Sequence, residues 1–232
     1  MDSTRQQARV AGRLYLLAAI TAPFCLIYIP SILIVSGDAS ATASHVRAST
    51  TLLRMGIVSE LIVATLFILV VLALYSLLKG VNEKHASAMV TLFLVSVPIS
   101  CLNVLNNIAA LILVSGADFL SAFDKGQLDA LAYLFLRLHG QGISVAAIFW
   151  GLWLFPFGML VIRSGFIPRV LGVLLIVAGS GYLVSSFTSL FLPQSARLVS
   201  QFAMVLEAGE LPIILWLLIW GRKAQPSDAP AS

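Results

Sequence analysis

The chain predicts an all-α integral membrane bundle of six transmembrane helices with both termini in the cytoplasm. Three observations lead there. Hydrophobic residues make up 59% of the 232 residues and mean hydropathy is +1.00. Charged residues are only 10%, against roughly 25% in a soluble domain. The apolar residues fall into six runs, each long enough for a hydrocarbon core about 30 Å thick. Lipid cannot satisfy exposed backbone groups, so the runs must be helices.

The first span is predicted from about Arg13 to Val35, with Arg5, Arg9 and Arg13 ahead of it. These arginines, with Ala41-Thr42-Ala43 downstream, imitate a secretory signal. The apolar run exceeds a signal core of about 7–15 residues, so it reads as a retained span. The next spans run from about Leu53 to Leu78 and from about Ala86 to Val114. The fourth, from about Leu128 to Ile162, is longer than a bilayer needs. The fifth covers about Val170 to Leu192 and the sixth about Leu198 to Trp220. Pro23, Pro30, Pro98, Pro156 and Pro212 should each bend a helix locally. Tight turns are expected at Gly80–Lys84 and Ser164–Pro168, and the longer opposite loops at Ser36–Leu52, Ser115–Gln127 and Pro193–Arg197. Residues 1–223 form one transmembrane domain, and 224–232, polar and Pro-containing, read as a disordered tail.

Cations fix the expected orientation. Arg5, Arg9, Arg13, Lys79, Lys84, Arg163, Arg169, Arg222 and Lys223 fall at one set of helix ends. Arg47, Lys125 and Arg197 fall at the other, with Arg54 close by. The positive-inside rule places the first set in the cytoplasm, in a multi-pass inner (plasma) membrane protein. The net charge of +4 comes from these helix ends and is no nucleic-acid footprint. Cys25 and Cys101 lie in apolar runs and read as packing residues.

Ionisable and amide residues inside the spans are the candidate site: Arg54, Glu60, Asn103, Asn106, Asn107, Arg137, His139, Gln141, Glu207 and Glu210. Counting about 20 residues from each cytoplasmic end places the outer boundary near Leu33, Ser59, Leu105, Ile143, Ser189 and Phe202. The polar residues cluster within a turn or two of that plane, with Tyr182, Ser185, Ser186 and Thr188 at similar height. The inner half is dry: Leu66–Leu74 and Pro212–Trp220 contain no ionisable group. An ion path needs polar groups at several depths. A one-sided cluster instead predicts an outward-facing polar cavity.

Asn103, Asn106 and Asn107 share a helix face, as do Arg137 with Gln141 and Glu207 with Glu210. His139 points away from Arg137. Neighbouring carboxylates repel unless a proton, an arginine or a metal intervenes. Arg54 or Arg137 fits that role, and so does a metal on His139, Glu207 and Glu210. Structural readings stand beside these: the glutamates as a helix-locking ion pair, the asparagines as interhelical hydrogen-bond glue, Arg137 as a snorkelling side chain, and Trp150, Trp153, Trp216 and Trp220 as packing or interface anchors. His45 and His85 lie in loops.

No Walker-type loop, HExxH or GxSxG is present. Haem, nucleotide and retinal signatures are absent, since only His139 lies near a span and no lysine lies within one.

Several stretches carry a resemblance: Ala8-Arg9-Val10-Ala11-Gly12-Arg13-Leu14-Tyr15-Leu16, Leu53-Arg54-Met55-Gly56-Ile57-Val58-Ser59-Glu60, Leu136-Arg137-Leu138-His139-Gly140, and Arg163-Ser164-Gly165-Phe166-Ile167-Pro168-Arg169 before Leu171-Gly172. In that order they resemble the bacterial integral-membrane family known as domain of unknown function 4386, over about Ala8 to Trp220. The resemblance implies a bacterial inner-membrane protein of about six helices. It brings no activity and no catalytic residues.

The first functional expectation is a protein that binds or senses a small molecule or lipid headgroup among the membrane lipids. Three alternatives stay open: a membrane enzyme on a lipid or isoprenoid, with His139 or a glutamate as acid or base; a secondary transporter; and a structural subunit of a partner protein.

Overall fold

A computed structural model describes residues 2–219 and contains no strand among them. Six helices are long and apolar enough to cross a membrane: Gln6–Leu33, Thr50–Leu78, Glu83–Leu113, Lys125–Arg163, Arg169–Phe191 and Pro193–Ile219. They are called here spans one to six. Trp220, Arg222, Lys223 and the expected tail lie outside the described residues.

Several boundaries differ from expectation for local reasons. The loop Ser36–Leu52 contains a helix, Ala39–Ala48, because the Asp38 carboxylate accepts from Ala41 N and caps its first turn. Span four begins at Lys125 on an Asp124/Gln127 capping box. The predicted loop Pro193–Arg197 is instead the first turn of span six, with Pro193 in the opening position where its missing N–H costs nothing. At Ser164–Pro168 the tight turn forms as expected: Ile167 N donates to Ser164 Oγ, and Gly165 takes φ +72°.

The prolines act unequally. Pro23 precedes one π-helical turn, Phe24–Tyr28, after which span one resumes. Span four breaks at Trp153, and Pro156 sits in the first turn of its second part, Leu154–Arg163. Span six tightens to a 3-10 turn at Ala208–Glu210 before Pro212. Span three continues through Pro98 unbroken.

Each span packs on its neighbour in sequence, and span six returns to span one, so the helices form a closed ring in chain order. Small residues set the closest approaches. A Cβ on Gly151 would lie 2.7 Å from the Gly179 carbonyl, and one on Gly158 2.6 Å from the Gly172 carbonyl. Two glycine pairs, seven residues apart on each helix, thus bring the backbones of spans four and five together.

Two apolar clusters lie toward opposite ends of the ring. The larger joins all six spans near the basic ends, from Ala8, Leu78 and Ala86 through Leu160 and Leu175 to Leu217. The expected dryness of that half is present as one continuous packed core. The smaller cluster sits at the opposite ends and joins spans one to four with the short helix, through Leu33, Val46, Leu53, Ala110 and Leu136. Spans five and six contribute nothing to it. Arg47 of the short helix pairs there with the buried Asp129 of span four, which Lys125 also approaches at 3.7 Å.

Candidate functional site

Polar side chains occupy the layer between the two clusters in two groups. In the first, Glu60 of span two faces His139 of span four, with Glu60 Oε2 2.9 Å from His139 Nε2. Asn107 Nδ2 of span three donates to Glu60 Oε1 at 3.4 Å. Asn103 Nδ2 donates to the His139 carbonyl at 2.9 Å, and Asn106 Nδ2 donates to Asn103 Oδ1 at 2.9 Å. Asn103 reaches across because span four presents Gly142 there; any Cβ at that position would collide with the Asn103 amide.

The second group joins spans one, five and six. The Tyr15 hydroxyl donates to Glu210 Oε2, and the Tyr182 phenol approaches the same carboxylate. Glu207, one 3-10 turn earlier, is half-buried and has no side-chain partner among the described residues.

Two adjoining cavities connect these groups. One, of about 110 Å³, is lined by Glu60, Glu210, Phe67, Phe93, Trp150 and Trp153. The other, of about 450 Å³, is lined by Glu207, Glu210, Tyr15, Trp150, Ser144 and Ser186. Phe67, Ile143, Trp150, Tyr182 and Glu210 belong to both walls. The lining is mostly apolar, with the carboxylates as its charged points. Its floor is a chain of aromatic contacts across four spans: Tyr15 on Phe67 at 5.6 Å, Phe67 on Phe93 at 5.2 Å and Phe93 on Trp153 at 5.3 Å between centroids.

The larger cavity reaches the side of the ring. The segment Leu211–Ile219 of span six packs on span one, whereas Pro193–Glu207 leans on span five. Between the diverging halves the cavity wall includes Ile27, Met204 and Leu211, all more than half exposed. Two buried polar groups on the walls lack a hydrogen-bond partner among the described residues: the Trp153 indole, 1% exposed, and the Ser186 hydroxyl, 3% exposed. Such groups in native interiors are normally satisfied by protein, water or ligand.

Of the residues named from sequence, Glu60, Asn103, Asn107 and His139 come together, and Glu207 and Glu210 share a cavity. Arg54 and Arg137 do not join them; both are exposed and form no salt bridge among the described residues. Gln141 is half-buried with no side-chain partner among them. His139 meets Glu60 rather than Glu207 and Glu210, and no group of three or more His, Cys, Asp or Glu among the described residues is placed to hold a metal. The candidate site read from sequence lacks Tyr15, Phe67 and Asp129, and takes Trp153 only as a packing or interface anchor, which its place in the core bears out. Aromatic residues inside an apolar span look like core, and Asp129 falls at the predicted first turn of span four, where a carboxylate looks like a solvated helix end.

The family model described as domain of unknown function (DUF4386) matches residues 10–221. The chain belongs to this family. An uncharacterised protein of the archaeon Archaeoglobus fulgidus is 29% identical over 167 residues, covering 72% of this chain and 84% of the relative. Similarity to this chain thus extends to an archaeal protein. No solved structure matches. Neither the DUF4386 description nor the relative carries an activity, so the reading of function rests on the geometry of the cavities.

Proposed function

We propose that this protein binds an amphipathic small molecule or lipid that enters sideways from the bilayer between spans one and six. One observation carries the reading: a cavity of about 450 Å³, walled by Glu207 and Glu210, ends at the exposed apolar residues Ile27, Met204 and Leu211. The volume suits a small ligand, and a mouth rimmed by apolar side chains suits one that partitions into lipid. The Trp153 indole and Ser186 hydroxyl supply unused polar contacts, and Glu60, held by His139 and Asn107, adds a carboxylate to the wall of the smaller cavity.

Orientation by the positive-inside rule puts both termini in the cytoplasm and the mouth in the outer leaflet of the plasma membrane, the inner membrane in a bacterium. Access is then from the outer side, and the packed core from Ala8 to Leu217 closes the cytoplasmic half. That core disfavours a continuous transport path. The Glu60–His139 contact favours a second reading, a membrane enzyme in which the imidazole holds Glu60 as a general base facing the smaller cavity. Partner-protein contacts are a further use of the exposed outer half of span six.

Native mass spectrometry of gently purified protein tests the binding reading. Wild type should carry a bound amphiphile, or accept an added one, and Ala22→Phe should expel it, because Ala22 lines both cavities. A wild type that stays empty under all loads, or adducts unchanged in a folded Ala22→Phe protein, overturns it.

A further inference from the structure

Building on that reading, we propose that the occupant is a lipophilic cation, a hydrophobic amine or quaternary ammonium held between the carboxylates and the aromatic floor. Glu60, Glu207 and Glu210 all line the joined cavities, and neither cavity has a lysine, arginine or histidine among the described residues of its wall. The sole basic group in contact with any of these carboxylates among the described residues is His139, which meets Glu60. Arg54 and Arg137 at similar height turn outward. A carboxylate in a low-dielectric site needs a counter-charge or a proton, and among the described residues no cation pairs with Glu207 or Glu210.

The rest of the wall matches the same ligand. Phe67, Phe93, Trp150, Trp153, Tyr15 and Tyr182 surround the cavities. Aromatic faces attract alkylammonium groups, most strongly where water is excluded. The two unpartnered buried groups, the Trp153 indole and Ser186 hydroxyl, mark space built for a polar occupant. A mouth of Ile27, Met204 and Leu211 admits a molecule whose remainder is hydrocarbon. An anionic headgroup is disfavoured by the same charges.

Full-length protein in a neutral maltoside detergent is titrated with tetraphenylphosphonium and with neutral triphenylphosphine oxide, following tryptophan fluorescence and native mass spectra. The aryl bodies are similar and the charge differs. Wild type should bind the cation at least about tenfold more tightly, equivalent to about 1.4 kcal/mol. Glu207→Gln, at a carboxylate with no side-chain partner among the described residues, should shrink that preference several-fold, and Glu207→Gln with Glu210→Gln should erase it. Ala22→Phe should abolish binding of both probes. Equal affinity for the two probes, with loss of both in Ala22→Phe, overturns the cation assignment and leaves the cavity reading standing. Binding of neither probe, or binding indifferent to Ala22→Phe, sinks both. A preference for the cation that survives the double substitution overturns the role of the carboxylates.

Discussion

The Tyr15 hydroxyl donates a hydrogen bond to Glu210 Oε2, tying span one to span six across 195 positions of sequence. The bond sits where the two spans begin to diverge, so it closes the ring on the core side and borders the cavity on the other. Removing the hydroxyl leaves a buried carboxylate short of a donor, a loss of about 1–3 kcal/mol. Tyr15→Phe should therefore lower the thermal midpoint in detergent, measured by intrinsic fluorescence. Leu17→Ala, on an exposed face of the same span, should not. Equal shifts from the two substitutions would refute a structural role for the bond.

Arg47 and Asp129 lock the opposite end. Asp129 is 3% exposed while Arg47 is partly solvated. Taking away the cation strands a buried carboxylate, which costs about 3–5 kcal/mol where the pair is fully buried and less here, because Arg47 is partly wet and Lys125 stays near. Arg47→Ala should destabilise more than the double variant Arg47→Ala/Asp129→Ala. A double-mutant cycle on thermal unfolding reads the coupling, and additive losses would show that the contact contributes nothing.

Gly142 and Asn103 are coupled by space. A methyl at Gly142 occupies the volume of the Asn103 amide and forces it off the His139 carbonyl. Overpacking of this kind costs about 1–3 kcal/mol. Gly142→Ala should destabilise wild type but have a much smaller effect in an Asn103→Ala background. Equal effects in both backgrounds would contradict the contact.

The Gly158–Gly172 approach leaves no room for side chains between spans four and five. Gly172→Val should push the helices apart, shown by loss of monodisperse, folded protein on size exclusion, whereas Gly80→Ala in an open turn should be silent.

Topology is measurable in a cysteine-free background with Cys25→Ala and Cys101→Ser. An impermeant thiol reagent on intact cells should label Ser121→Cys, and should label Gly80→Cys only after permeabilisation. Both positions are exposed. Cysteines at Asn103 and Ser186, both buried on the polar layer, should react with a membrane-permeant reagent faster when the cavity is empty than when it is filled. The reverse pattern at Ser121 and Gly80 would invert the orientation.

The sequence by itself determined the membrane class, the six spans and the family. These follow from runs of apolar residues and from short motifs, and hydrocarbon imposes helix on any such run. A linear count along each helix also predicts that the polar candidates of spans two, three, four and six lie toward one set of ends, whereas Glu210 meets Tyr15 in the basic-end half of span one. Tertiary structure decided which of them meet. His139 finds Glu60 rather than Glu207 and Glu210, and Glu210 finds Tyr15 rather than Arg54 or Arg137, because a helix position sets height along the bundle but not rotation about it. Rotation comes from packing: the Gly151–Gly179 and Gly158–Gly172 approaches fix span four against span five, and the aromatic contacts of Tyr15, Phe67, Phe93 and Trp153 fix spans one to four. The gap between spans one and six was equally beyond a linear reading. It arises where span six changes course at its Ala208–Glu210 turn, leaving one neighbour for another, and no run of hydropathy records that choice.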